Sequence, residues 1–194
     1  MPDSALIFST TSDFVPVPIT DKGSGATSGI SFWQPVLPGG EWCYLGFFGA
    51  PNYNVPSGPQ VIVKPTKTPL GNPNPPLKPP QGFVQAWTCI DHDQSSNLGI
   101  YNIQAPPGYI GLGCIAVPDF NTPPVVTDYL GLMCVRHDLC KSITVDGDNL
   151  VWTDNGSKAP TDVSIWLLPN AKTCFATVSE TSYPPSAPAY DVVM

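Results

Sequence analysis

The sequence predicts an all-β protein, a β-prism with pseudo-threefold symmetry built from three tandem copies of one unit of about 65 residues. Dense turn punctuation, a core-grade apolar content and an internal repeat carry that prediction. Pro (25) and Gly (17) make up about a fifth of the 194 residues, a spacing that suits many short strands and rules out long helices. Hydrophobic residues are 42% and aromatics 10%, so the punctuated runs have a core to build rather than a disordered chain to solvate.

The repeat begins with ITDKGSGATSGISFW, WTCIDHDQSSNLGIY and WTDNGSKAPTDVSIW, which open at Ile19, Trp87 and Trp152. Trp33, Tyr101 and Trp166 follow at the same distance of 14 residues. The first and third windows share Thr20/Thr153, Asp21/Asp154, Gly23/Gly156, Ser24/Ser157, Ser31/Ser164 and Trp33/Trp166. Downstream, LGFFGAP (45–51) aligns with LGCIAVP (112–118), and the third copy has FATV (175–178). Each copy then closes on a β-branched strand: VIV (61–63), LMCV (132–135) and DVV (191–193). The expected units are 5–64, 83–140 and 141–194 of a single domain spanning 1–194, with about four strands in each and about twelve in all.

Turn chemistry supplies the joints. Asp146-Gly147 stands between two alternating runs and predicts a hairpin. In PPGYIGLG (106–113) and PGGEWCYLG (38–46), Pro-Gly turns lead into aromatic residues that start strands. The connection 65–82 holds seven prolines and predicts an extended polyproline linker without ladder bonds. Three four-stranded sheets sharing one apolar interior make a β-prism. A β-trefoil is the alternative, although its units are shorter, and a propeller needs more blades.

Charge excludes other classes. The net charge is −7, and only eight residues are Lys or Arg, of which Arg136 is the single arginine. Nucleic-acid binding and attachment to anionic lipid through a basic patch both need clustered cations, which the chain does not have. The N-terminus MPDSALIFSTTSD lacks the pattern of a standard signal peptide, and the apolar run 108–117 is too short to cross a bilayer. The expected state is soluble, cytoplasmic or leaderless secreted, with peripheral membrane association kept open. Six dispersed cysteines read as strand thiols, and only Cys134 and Cys140 face each other across a tight turn that a bridge would span.

Catalytic signatures are missing. No nucleophile elbow, HExxH, phosphate loop or CxxC pair occurs, so the sequence predicts no enzyme and no cofactor. His92 lies between Asp91 and Asp93, ligand types that suit a transition metal, yet the segment reads as a solvated turn. His137 in VRHDLC reads as part of an ordinary turn rather than as a base for Cys134 or Cys140. What remains is three polar loops at one end of the prism: 21–28, 89–97 and 154–162. Their carboxylates, amides and glycines are what sugar recognition uses, with an aromatic face to stack on the pyranose ring. The candidate ligand residues are Asp21, Gly23, Asp91, His92, Asp93, Asp154, Asn155 and Gly156. Trp87 and Trp152 precede the second and third loops and read either as core or as stacking platforms. The first copy has no such Trp, so sugar is expected at copies two and three, with a glycan or glycolipid as partner.

GISFWQPVLPGGEWCYLGFFG, GIYNIQAPPGYIGLGCIAVP and CVRHDLC together resemble the vacuolar-protein-sorting-sixty-two-like family of plants and fungi. The resemblance spans Gly29 to Cys140 and reaches the third copy weakly. It implies a β-prism similar to multivesicular-body β-prisms and jacalin-type lectins, with no catalytic residues to carry over. It adds a competing function, a membrane-targeting or trafficking module or the targeting subunit of a defence toxin. Phe47, Phe48 and Tyr53 would then wet a bilayer interface.

Overall fold

Pro and Gly end the apolar runs early, so the strands are only two to seven residues long. The computed structural model describes residues 5–66, 73–90, 95–178 and 189–194. Copy one supplies β1 (Leu6–Thr11), β2 (Ile19–Thr20), β3 (Ser31–Trp33), β4 (Phe48–Ala50) and β5 (Gln60–Pro65). Copy two supplies β6 (Leu77–Lys78), β7 (Gly82–Thr88), β8 (Gly99–Gln104), β9 (Tyr109–Ile110), β10 (Cys114–Val117) and β11 (Cys134–Arg136). Copy three supplies β12 (Cys140–Ile143), β13 (Leu150–Thr153), β14 (Ser164–Leu167), β15 (Cys174–Thr177) and β16 (Ala189–Val192). Among the described residues the only helical turns are three short 3-10 segments.

Pairing follows the repeat. Antiparallel meanders β2-β3-β4, β7-β8-β10 and β13-β14-β15 form the three faces. In each, Thr20, Thr88 or Thr153 sits opposite Ser31, Gly99 or Ser164. Trp33, Tyr101 and Trp166 then sit opposite Phe48, Ile115 and Phe175, so the three aromatics occupy one equivalent position. Bulges between Gln85 and Trp87 and between Leu150 and Trp152 fall at the same place in copies two and three. An extra residue there bends the strand and aims the following Trp inward.

Three expectations change. Each copy's first strand pairs with its last, as β1 with β5, β6 with β11 and β12 with β16. The expected four-stranded sheets therefore divide into a meander and a separate small sheet, and the described residues form sixteen strands rather than about twelve. The Pro-rich connection contributes β6, because Leu77–Lys78 is a Pro-free dipeptide between two Pro-Pro pairs and joins the β11 ladder. Asp146-Gly147 makes no hairpin, since β12 pairs with β16 and β13 with β14. Instead, Asp146 accepts from the Asp148 amide while its own N–H donates to the Asn149 side chain, a capping box on a 3-10 turn that carries the chain between sheets.

Among the described residues the interior is two apolar clusters rather than one, and all three copies contribute to both. Ile30, Phe32 and Phe47 meet Trp87, Ile100, Trp152 and Ile165 in the cluster beneath the polar loops. Leu45, Val61 and Val63 meet Leu112, Val135, Trp166 and Val192 in the other. The copies join where Phe47, Cys114 and Cys174 stand at equivalent positions. The Phe47 N–H donates to the Cys114 carbonyl (3.0 Å), and the Cys174 N–H donates to the Phe47 carbonyl (3.3 Å). Gly46 and Gly113 allow this approach, because a Cβ on Gly113 would lie 2.8 Å from the Leu45 carbonyl oxygen.

The equivalent aromatics differ in how their polar atoms are satisfied. Trp33 donates to the Ser31 hydroxyl and Trp166 to the Thr177 hydroxyl. In copy two the matching places are Gly99 and Val117, neither with a hydroxyl, and the buried Tyr101 hydroxyl has no hydrogen-bond partner among the described residues. Removing an unpaired buried hydroxyl relieves its desolvation cost. Tyr101→Phe is therefore expected to leave stability unchanged or raise it by about 1 kcal/mol in urea unfolding.

Candidate functional site

The loops after β2 and β13 fold alike because each wraps around a buried carboxylate. Asp21 Oδ1 accepts from the Ile30 N–H (2.8 Å) and Oδ2 from the Ser24 hydroxyl (3.1 Å). Asp154 repeats this with Val163 (3.0 Å) and Ser157 (3.1 Å). The Ser24 and Ser157 hydroxyls in turn accept from the amides of Ala26 and Ala159. Gly23 and Gly156 turn the chain at φ of 90° and 91°. Two places later, Gly25 (φ 78°) in copy one is Lys158 (φ 58°) in copy three, a left-handed conformation that strains a lysine.

The two tryptophans belong to this scaffold. Trp87 Nε1 donates to Asp154 Oδ2 (3.0 Å), crossing from copy two to copy three. Trp152 Nε1 donates to the Ser28 carbonyl (2.7 Å), crossing from copy three to copy one. The rings pack edge to face with centroids 5.7 Å apart. Both are buried, so neither offers a face to a sugar. The remaining crossing, from copy one to copy two, has Ile19 in place of Trp and Cys89 in place of Asp, and both residues join the same apolar cluster. A polar pair is replaced by an apolar one, which leaves no buried donor stranded.

The structure thus redistributes the predicted ligand residues. Asp21 and Asp154 are buried, and their oxygens accept from their own loops and, in addition, from Tyr53 and Trp87 respectively. Burial raises the Asp154 carboxyl above the usual carboxylate range, against the pull of the Val163 amide, the Ser157 hydroxyl and the Trp87 indole. Gly23, Asn155 and Gly156 are exposed. Their main chains tie the loops together, since the Ser95 N–H donates to the Gly23 carbonyl and the Thr27 N–H to the Asn155 carbonyl. Asp91, His92 and Asp93 lie outside the described residues. Among the described residues no group of three His, Cys, Asp or Glu side chains is placed to hold a metal.

Sequence reasoning did not weigh the loop PNYNVPSG (51–58) as a sugar site. Tyr53 there is 46% exposed, and its hydroxyl donates to Asp21 Oδ1 (3.0 Å). Its ring covers Gly29, where a Cβ would lie 2.5 Å away. Desolvation, then the Asp21 carboxylate, pushes the Tyr53 phenol up to about 12. The same loop walls a cavity of about 360 Å³ with Asn52, Asn54, Ser57 and Phe48. The signal was the Asn-Tyr-Asn triplet, of which sequence reasoning singled out only Tyr53, and for a bilayer-facing role rather than a sugar site. Phe47 is withdrawn from any bilayer-facing role, because it is buried where the copies meet.

Cys134 and Cys140 are free thiols. Cys134 points into the cluster beneath the loops, whereas Cys140 packs against the other cluster. Burial pushes both thiols up to about 12. No helix among the described residues is long and apolar enough to cross a membrane.

The family described as vacuolar protein sorting-associated protein 62 matches residues 5–180. No curated protein matches the sequence. Among solved structures, the crystal structure of GNIP1Aa from Chromobacterium piscinae is similar, with a TM-score of 0.79 and 25% identity over 95% of this chain. The match covers 35% of that protein, so the chain spans about a third of its length.

Two stability changes follow from the loop geometry. Asp154→Ala strands the donors of Val163, Ser157 and Trp87 and is expected to cost about 3 kcal/mol in urea unfolding. Lys158→Gly adopts the backbone already used by Gly25 and is expected to gain about 0.5–1 kcal/mol in the same measurement.

Proposed function

The chain belongs to the vacuolar protein sorting-associated protein 62 family, and on that footing we propose that it is a non-catalytic, lectin-like module that binds glycans at the loop end of the prism. The observation that carries this reading is the loop 51–58, which presents the half-exposed Tyr53 ring over Gly29 and, through Asn52, Asn54 and Ser57, walls a cavity that the ring itself does not line. An aromatic face stacks on the C–H surface of a pyranose, while amides and a hydroxyl exchange hydrogen bonds with its hydroxyls. The bond from Tyr53 to Asp21 holds the ring still, which lowers the entropy cost of binding. The contact site therefore moves to copy one, whereas sequence reasoning favoured copies two and three. Asn155, Gly156 and Gly23 supply further exposed polar surface on the neighbouring loops.

A membrane-targeting or trafficking role is the second reading. Val17 (77% exposed) and Leu130 (83% exposed) motivate it, since apolar side chains this open favour a lipid or protein surface. In GNIP1Aa the similar region is one part of a longer chain, an arrangement that suits a recognition module serving other domains.

A glycan array followed by titration of the best sugar tests the first reading. Asn54→Ala is expected to weaken binding about tenfold, the loss of one or two hydrogen bonds, without shifting the unfolding midpoint. Flotation with neutral and anionic vesicles separates the readings. Glycolipid binding is competed by free sugar, and insertion of Val17 or Leu130 is not. An array with no hit at millimolar sugar overturns the lectin reading.

A further inference from the structure

Cys114 and Cys174 begin the equivalent strands β10 and β15, 60 residues apart in the chain. Both are fully buried, and their Sγ atoms lie 3.6 Å apart. Phe47, the third member of this set, holds them from the side. Its N–H donates to the Cys114 carbonyl, and its carbonyl accepts from both the Cys174 N–H and the Cys174 thiol (3.5 Å). The two backbones are therefore fixed while the sulfurs already touch. A disulfide bond is about 2.05 Å long, so closing it requires a further approach of about 1.5 Å, within reach of small side-chain rotations.

We propose that Cys114 and Cys174 form a covalent modification site, a cystine that ties copies two and three together where the copies meet. The oxidant is a small-molecule disulfide such as oxidised glutathione. One cysteine thiolate attacks a sulfur of the oxidant, forming a mixed disulfide and releasing one small thiolate. The second cysteine thiolate attacks the protein sulfur of that mixed disulfide and releases the other small thiolate. Two protein thiols are oxidised, one small disulfide is reduced to two thiols, and the two protons pass to the departing thiolates.

Burial sets the timing. Neither sulfur meets solvent in the folded protein, and the Cys114 thiol is pushed well up by its contact with Cys174 and by burial. Exchange needs both a thiolate and access to the oxidant. The cross-link therefore forms as the chain folds, before the interior closes, and records whether folding took place in an oxidising or a reducing compartment. It makes no use of the loop end and stands apart from glycan binding.

The full chain is unfolded and refolded with oxidised and reduced glutathione, thiol-blocked in denaturant and mapped by peptide mass spectrometry. The expected result is one peptide pair joined through Cys114 and Cys174, and an unfolding midpoint above that of the reduced chain. Folded, reduced protein given the same mixture is expected to cross-link at least tenfold more slowly. Six blocked thiols after oxidative refolding, or a bond joining a different pair, overturns the proposal. Equal rates for the folded and refolding chains overturn the timing. Cys114→Ala supplies the control and is expected to remove that peptide pair alone.

Discussion

The Phe47 N–H donates to the Cys114 carbonyl while the Phe47 carbonyl accepts from Cys174, so the main chain of copy one is bonded to both other copies. Every larger feature depends on this junction. The small sheets of one copy cannot bury enough apolar surface alone, and joining the copies lets each contribute to two common interiors. The junction demands Gly113 and Gly46, because the two backbones pass within about 3 Å of where a side chain would begin.

Above that junction the loop end is a second, polar construction. Asp21 and Asp154 look like ligand groups in sequence, but a carboxylate can satisfy the amides of a loop from inside it, and here it does. Trp87 and Trp152 carry hydrogen bonds from one copy to the next and pack against each other, which makes the loop end rigid. Rigidity of this kind suits recognition, since little order has to be imposed when a ligand arrives. The exposed chemistry then falls to residues outside the repeated motif, above all Tyr53, Asn52 and Asn54.

The departures from threefold symmetry are informative. Where copy one has Ile19 in place of Trp, copy two has Cys89 in place of Asp, so donor and acceptor are absent together. The Tyr101 hydroxyl lacks that compensation and is left buried without a partner among the described residues. Lys158 occupies a backbone conformation that Gly25 adopts freely. Each copy has drifted, but the drift is constrained by what lies across the boundary between copies.

The amino-acid sequence alone determined the all-β class, the threefold repeat and the alignment of Trp33, Tyr101 and Trp166. These rest on strand alternation, turn residues and constant spacing, which are local and therefore legible along the chain. Only the tertiary structure decided that Asp21 and Asp154 face inward, that Asp146-Gly147 caps a 3-10 turn, and that Leu77–Lys78 is a strand. It also decided that Cys114 rather than Cys140 has a sulfur neighbour. Each of these depends on a partner tens of residues away, such as Ile30 for Asp21, β11 for β6 and Cys174 for Cys114. A side chain's task is set by what folding places opposite it, and composition and spacing carry no record of that.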